Sequence, residues 1–302
     1  MYYILYAILY TFSLLPFFVL YGISDFFYLV IYRLFGYRKK VVLANLDIAF
    51  PEKSKEQKEA IARQFYKNLI DTFIESIKLL SISDAAFKKR ATIDFDPVAE
   101  LIVKGKNVQL HCGHQMNWEY GHRVIAITVQ VPWLALYMRI NNTAVDRLFQ
   151  DIRNKGKTVL IAVHEFRNRA HKSFTQQYAM GLIADQNPGV PSAAYWLNFF
   201  NRPAPFTIGP DKGARKNNTA VVFVKLVKLK RGYYHFKTKV ITESAGDLQE
   251  GDLTLQYRDF LEEAIRAEPD NYLWSHRRWK WPYRAEFKKR WIDVTPAPEI
   301  KL

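Results

Sequence analysis

Between Val108 and Gln186 the hydrophobic period of the chain changes four times, and this alternation constrains the fold more than any other feature. VQLHC (108–112) is a short apolar run of strand type, and NWEYGHRVIAIT (117–128) repeats its apolar residues at helical spacing. VPWLALYM (131–138) is a second strand, and TAVDRLFQDIRNKG (143–156) a second helix ended by Gly156. YAMGLIADQ (178–186) is a third strand closing on a polar turn. Strand and helix alternating in this rhythm predict an α/β fold, a central mixed sheet flanked by helices. Further on, VVFVKLVKL (221–229) and YYHFKTKVI (233–241) are two strands joined by KRG. LTLQYRDFLEEAIRAEP (253–269) is a helix stopped before its proline. Ahead of the alternation, Ser54 and Gln57 form a capping box. Ile61, Phe65, Leu69, Phe73, Ile77 and Leu80 then recur at three or four, predicting an amphipathic helix with a solvated charged face.

The first 35 residues, MYYILYAILYTFSLLPFFVLYGISDFFYLVIYRLF, carry no charge before Arg33 except Asp25. The stretch is too long for a signal peptide's apolar region and lacks a basic start and a small-residue cleavage site. It exceeds the ~20 residues that cross a bilayer. Pro16 and the Gly22–Asp25 stretch predict a kink or break, so a span followed by an interfacial helix and a monotopic helical hairpin both fit. The tyrosines suit a membrane interface, and Arg33, Arg38, Lys39 and Lys40 place the remainder in the cytoplasm. The expected partition is an N-terminal membrane-anchoring helical segment, 1–40, and one folded domain, 41–302.

A single cysteine excludes an internal disulfide and a cysteine-rich zinc site. The formal charge of +15 calls for an anionic partner: nucleic acid, an acidic membrane surface, a phosphorylated substrate or an acidic carrier protein. No groove-reading motif accompanies the charge, and the apolar N-terminus also argues against nucleic acid.

HCGHQMNWEYGH (111–122) concentrates three histidines, the only cysteine and one carboxylate. His111 and His114 stand three apart at a strand end, where alternate residues face opposite ways, so they do not converge on a metal. Cys112 lies within the strand, where a cysteine behaves as a small hydrophobe. The third arrangement pairs His114 with Glu119. Asn117 is placed to cap the following helix, and Glu119 falls in its first turn. A carboxylate on one ring nitrogen would leave the other as a general base toward a substrate hydroxyl. A satisfied histidine beside an exposed glutamate fits the same six residues.

HQMNWE (114–119) resembles the H-x4-(D/E) motif of membrane glycerolipid acyltransferases, within the lysophospholipid acyltransferase-like group. Its NWE form is similar to the late lipid A acyltransferases, the lauroyl and myristoyl transferases of Gram-negative bacteria, and to mycobacterial phosphatidylinositol-mannoside relatives. Four further stretches resemble that family in order: LYMRINNTAVDRLFQDIRNKG (136–156), LIADQNPG (182–189), FFNRPAPFTIGPDKGARKNNTAVVFV (199–224) and PDNYLWSHRRWK (269–280). Asn201 stands where the family usually has glycine, a departure that touches the acyl groove rather than the chemistry.

The resemblance implies transfer of a fatty acyl chain from acyl carrier protein, or from coenzyme A, to a lipid hydroxyl. It implies no cofactor and no metal, the thioester being a co-substrate. The acceptor would be a lipid A precursor; another phospholipid, aminolipid or glycolipid would need the same base, and a catalytically silent membrane scaffold is the non-enzyme alternative. His114 would be the base and Glu119 its orienting partner. Arg139 would be the cation near substrate or oxyanion, and Asp185 and Gln186 would shape or hydrogen-bond the pocket. Asn117 would cap the helix or face the site. Arg277 and Arg278, with Arg147, Arg153 and Lys280, would meet the phosphates of the acceptor or the acidic carrier. The implied location is the cytoplasmic face of the inner membrane.

Overall fold

A computed structural model describes residues 1–166 and 175–299. Two apolar helices come first, α1 (Tyr2–Leu14) and α2 (Phe17–Tyr28), the latter running on as a π-helical turn over Leu29–Phe35. The break falls at Pro16, which caps α2, while Gly22–Asp25 stays helical. Next come α3 (Lys39–Ala49), α4 (Lys55–Lys78), α5 (Asp84–Lys88), β1 (Ala91–Ile93) and α6 (Asp96–Val103). The alternating region follows: β2 (Val108–Cys112), α7 (Trp118–Ala126), β3 (Trp133–Tyr137), α8 (Thr143–Arg153), β4 (Thr158–Ala162) and β5 (Ala179–Ile183). A hairpin of β6 (Tyr195–Phe199) and β7 (Arg202–Phe206) precedes α9 (Gly209–Lys216), β8 (Ala220–Lys230), β9 (Tyr233–Thr242) and α10 (Asp252–Ala267).

The main sheet has the order β1-β9-β8-β2-β5-β3-β4. Strands β8, β2, β5, β3 and β4 run parallel, and β9 is antiparallel to β8. The fold is therefore α/β with a mostly parallel mixed sheet. Both faces are covered, as parallel strands require. Ala220, Val222 and Val224 of β8 pack with α6, α7 and α8, whereas Val221 and Phe223 pack with α4, α10 and the hairpin. The strand period of two sorts one strand into two cores. The hairpin turn places Phe200 and Asn201 both at positive φ, 50° and 57°. Asparagine adopts that conformation more readily than other side-chain-bearing residues, so Asn201 fits this turn.

The capping box on α4 is present in full. The expected solvated face holds over the first part of the helix, where Lys55, Glu56, Arg63 and Lys67 are exposed, and fails over the second. Asp71, Glu75, Asn68 and Ser76 are buried, while Phe73 is 49% exposed. The reason is α2, which lies along this face. Ser24 Oγ donates to Asp71 Oδ1 (2.6 Å), Tyr21 Oη to Glu75 Oε1 (2.9 Å), and Arg231 bridges Asp71 and Asp25 at 2.7 and 2.8 Å. Lys78 Nζ donates to the carbonyls of Ser13 and Leu15 (2.6 and 2.9 Å) at the end of α1. Phe17–Phe35 is long and apolar enough to cross a membrane, the single such helix among the described residues. It is also held by polar contacts to the folded domain.

Candidate active site

Register brings the first two groups together. Cys112 at the end of β2 lies opposite Ile183 at the end of the adjacent parallel strand β5. Two residues further along each strand stand His114 and Asp185, so the same register carries both to the carboxyl edge of the sheet, where open α/β sheets bind ligands. Asp185 Oδ1 accepts from His114 Nδ1 at 2.6 Å, and Oδ2 accepts the His114 backbone N–H at 2.9 Å. Gly113 lets α10 pack against this strand end: a Cβ there would lie 2.5 Å from Leu261 Cδ1, whereas Asp185 Oδ2, at 3.5 Å, would be in ordinary contact. Burial alone would raise the Asp185 carboxyl, but the imidazole, the His114 backbone N–H and the nearby Arg278 hold it below the usual carboxylate range.

A carboxylate can only accept, so Nδ1 carries the proton and Nε2 presents a lone pair. The Gln186 amide nitrogen lies 3.0 Å from Nε2 and donates to it. The base end of the ring is therefore poised, and Gln186 occupies the place a hydroxyl would take. The Trp118 indole packs edge-on to the imidazole, with ring centroids 5.7 Å apart.

Glu119 is not the carboxylate on His114. It is buried in the first turn of α7 and accepts from Arg153 Nε (3.0 Å) and Nη2 at the end of α8, and from Trp118 Nε1 (3.1 Å). Both imidazole nitrogens are already engaged by Asp185 and Gln186, so no ring position is left for it. Glu119 reaches His114 only through the indole it orients. Burial works against the Arg153 charge, yet the Glu119 carboxylate more than offsets it and raises the guanidinium.

Asn117 caps α7: Oδ1 accepts from the Tyr120 N–H (3.2 Å) and Nδ2 donates to Glu75 Oε2 (2.9 Å). Both ends of its amide are spent inside the protein, so it positions the site and does not face substrate. The other histidines of the stretch diverge. His111 points into the sheet against Phe223 and Tyr257, and burial pushes it down to about 3. His122 donates Nε2–H to the Arg153 carbonyl (2.7 Å) and accepts from Trp133 Nε1 (3.2 Å). Burial, with a smaller push from Asp185, raises the Cys112 thiol to about 12, which leaves no thiolate for attack.

The C-terminal segment closes the site. Leu273 N–H donates to the His114 carbonyl (3.0 Å) and Met116 N–H to the Asn271 carbonyl (2.9 Å), pinning 271–273 beside 114–116. Asn187, following Gln186, donates its backbone N–H to His276 Nε2 (3.3 Å) and accepts from Arg278 Nη1 (3.2 Å). The two adjacent arginines separate. Arg278 is buried against the rings of Phe199 and Phe206, whereas Arg277 is exposed. Arg139 stands beyond β3 at the same sheet edge, with its guanidinium engaged by Glu165. Arg147 lies over the rings of Tyr2 and Tyr3, away from the histidine. Asn187 and His276 lie within the stretches 182–189 and 269–280 that carry the family resemblance, but neither stands out there as a site residue, since nothing in the sequence says that the two stretches meet.

The sequence matches the family described as bacterial lipid A biosynthesis acyltransferase over residues 1–281. It is 22% identical over 245 residues to the lipid A biosynthesis palmitoleoyltransferase of Escherichia coli (strain K12), covering 80% of this chain and 79% of that one. The lipid A biosynthesis acyltransferase of Shigella flexneri gives the same identity and coverage. With the match running from the first helix past the C-terminal segment that closes the site, the chain belongs to the bacterial lipid A biosynthesis acyltransferase family and is an O-acyltransferase.

Proposed function

We propose that the protein transfers a fatty acyl chain from acyl carrier protein, with coenzyme A as the second possible donor, to a hydroxyl of a lipid A precursor at the cytoplasmic face of the inner membrane. The observation that carries this is the His114–Asp185 pair at the carboxyl edge of the sheet, in a chain of this family. His114 Nε2 takes the proton of the acceptor hydroxyl once Gln186 yields its place. The alkoxide-like oxygen attacks the thioester carbonyl, and Asp185 stabilises the imidazolium. Collapse of the tetrahedral intermediate expels the thiolate, which takes the proton back from Nε2. The displaced Gln186 amide is a donor for the developing oxyanion, and Arg139, at the same sheet edge, would supply a second once it leaves Glu165.

Glu119 acts as a positioning residue that fixes Trp118 against the imidazole and ties α7 to α8. The net charge of +15 suits an acidic carrier and a phosphorylated acceptor. The apolar surface of the first helices, with Ile4, Ile8, Phe18, Phe26, Leu34 and Phe35 exposed, suits a membrane. The test is lipid profiling of a strain lacking the gene, with thioester consumption by the purified protein. Loss of one acyl chain from lipid A, restored by the wild-type copy and not by His114→Ala, supports the reading. Unchanged lipid A with an altered phospholipid or aminolipid assigns the same chemistry to another acceptor.

A further inference from the structure

Beside the His114 edge lies an open cleft of about 430 Å³, lined by Arg38, Asn187, His276, Arg277, Lys280 and Trp281. Its size lies within the range of small-ligand sites. Three of these side chains are cations, and among the described residues none of the three pairs with a carboxylate. Arg38 donates Nη1–H to the Ser275 carbonyl (3.1 Å) and lies near Tyr37, Lys280 lies 4.3 Å from the Trp281 ring centroid, and Arg277 is exposed. The side of the cleft toward the catalytic edge is built. His276 Nε2 accepts from Asn187 N–H, and Asn187 is one residue from the Gln186 that touches His114. Behind Asn187, Arg278 is buried with Nε and Nη2 lacking a hydrogen-bond partner among the described residues, its charge facing that of Asp185 on the other side. His276 contributes no charge of its own, since burial and Arg278 push it down to about 4.

The cation set is drawn from two distant parts of the chain. Arg38 closes the N-terminal apolar segment, in the left-handed conformation at φ 52°. Leu34 and Phe35, just before it, are each 77% exposed. Asn45 of α3 then grips the other wall, donating to the carbonyls of Trp274 and His276, both at 2.7 Å. The cleft therefore opens beside the surface expected to lie on the membrane, where the headgroup of a lipid acceptor resides, whereas a carrier protein approaches from solution.

We propose that this cleft binds a phosphate on the headgroup of the lipid acceptor, with Arg38, Arg277 and Lys280 as its cations, so that the N-terminal segment supplies part of the substrate site as well as the anchor. The proposal rests on the acyltransferase reading above and names the acceptor side of that site. Guanidinium groups suit the task because they present several donors to phosphate oxygens in a fixed fork.

The experiment uses the full chain in detergent micelles, with tryptophan fluorescence as readout because Trp281 lines the cleft. Glucosamine 1-phosphate is titrated against glucosamine, with coenzyme A as a phosphate of donor type. A saturable change with glucosamine 1-phosphate alone is expected, absent in Trp281→Phe. It should shift to about tenfold weaker Kd in Arg38→Gln and again in Arg277→Gln, the loss of one charge-assisted contact each. Among the described residues the Arg277 guanidinium has no partner, so that variant keeps the test valid if Arg38→Gln fails to fold. No saturable signal, or one indifferent to both arginines, overturns the proposal. A signal given by coenzyme A and not by the sugar phosphate also overturns it, in favour of a donor site. Binding is read without turnover, so failure here is distinct from a protein that transfers no acyl chain.

Discussion

Replacing Asp185 by Asn changes one atom and forces a choice on its surroundings. In the wild type the two carboxylate oxygens accept from His114 Nδ1 (2.6 Å) and from the His114 backbone N–H (2.9 Å). An amide has one oxygen and one NH2 group. The backbone N–H cannot change its role, so the amide oxygen turns to it and the NH2 turns to Nδ1. The imidazole then carries its proton on Nε2, the nitrogen required as base. The opposite flip keeps the tautomer but sets two donors against each other in a buried site, at about 1–3 kcal/mol. Either way the imidazolium also loses its buried counter-charge, a charge-assisted bond worth about 1.5–3 kcal/mol. Together these come to about 3–6 kcal/mol, or roughly two to four powers of ten in kcat. The KM for both substrates should move little. The assay is steady-state transfer by the full chain, with nitrogen-resolved NMR of the His114 tautomer. Stability should fall as well, because Asp185 lies near the buried cation Arg278. The folded carboxyl lies below its unfolded value, so its contribution is complete above the unfolded pKa and is lost as pH falls through the depressed folded one. A well-folded Asp185→Asn within about threefold of wild-type kcat would refute the pairing, since a lost positioned base costs about 10²-fold or more.

His114→Ala should lower kcat by about 10² to 10⁴, while Cys112→Ala stays close to wild type; an inactive, folded Cys112→Ala would point to an acyl-cysteine route. Glu119→Gln should lower the melting temperature, since it breaks a buried pair with Arg153 at a cost of about 1–3 kcal/mol, and should leave the His114 tautomer unchanged. A tautomer switch in Glu119→Gln with an intact melting temperature would restore the direct His114–Glu119 dyad. Glu75 is buried, and burial plus the neighbouring Asp71 raise it to about 7 from an ordinary 4.5. The folded state then holds a proton that the unfolded state releases, so stability falls as pH rises between those values and is level above them. Denaturant titrations across that window should show the slope in the wild type and its absence in Glu75→Gln; an unchanged slope would remove Glu75 from the account.

Element type was readable wherever the apolar period was long. The strands 108–112, 133–137 and 179–183 and the helices between them follow from period alone, and Asn117 was legible as a cap because its chemistry is local. Strand order was not legible. Nothing in YAMGLIADQ says that β5 lies between β2 and β3, and that adjacency decides which carboxylate meets His114. Glu119 looked nearer because it is five residues away, yet the first turn of α7 carries it toward α8. The buried polar face of α4 was hidden for a similar reason. Asp71 and Glu75 read as solvated until α2 and Arg231 are known to cover them. Short, mixed strands such as β6 and β7 carry too little pattern to register at all.

The bridge between Asp25 and Arg231 has a consequence for the order of synthesis. The two residues are 206 positions apart. At about 5–20 residues per second, the ribosome takes roughly 10–40 s to travel between them. During that interval the first helices have already emerged; α4 brings Asp71 to Ser24 after 47 positions, but Asp25 still lacks the partner that the β8–β9 turn will bring. On the membrane reading proposed above, the segment meets the bilayer as an unfinished piece and completes its docking onto the domain only once residue 231 has been made. A nascent chain arrested before β8 would hold the lipid surface without the latch, and proteases acting at the junction after Phe35 would report the moment at which the latch closes.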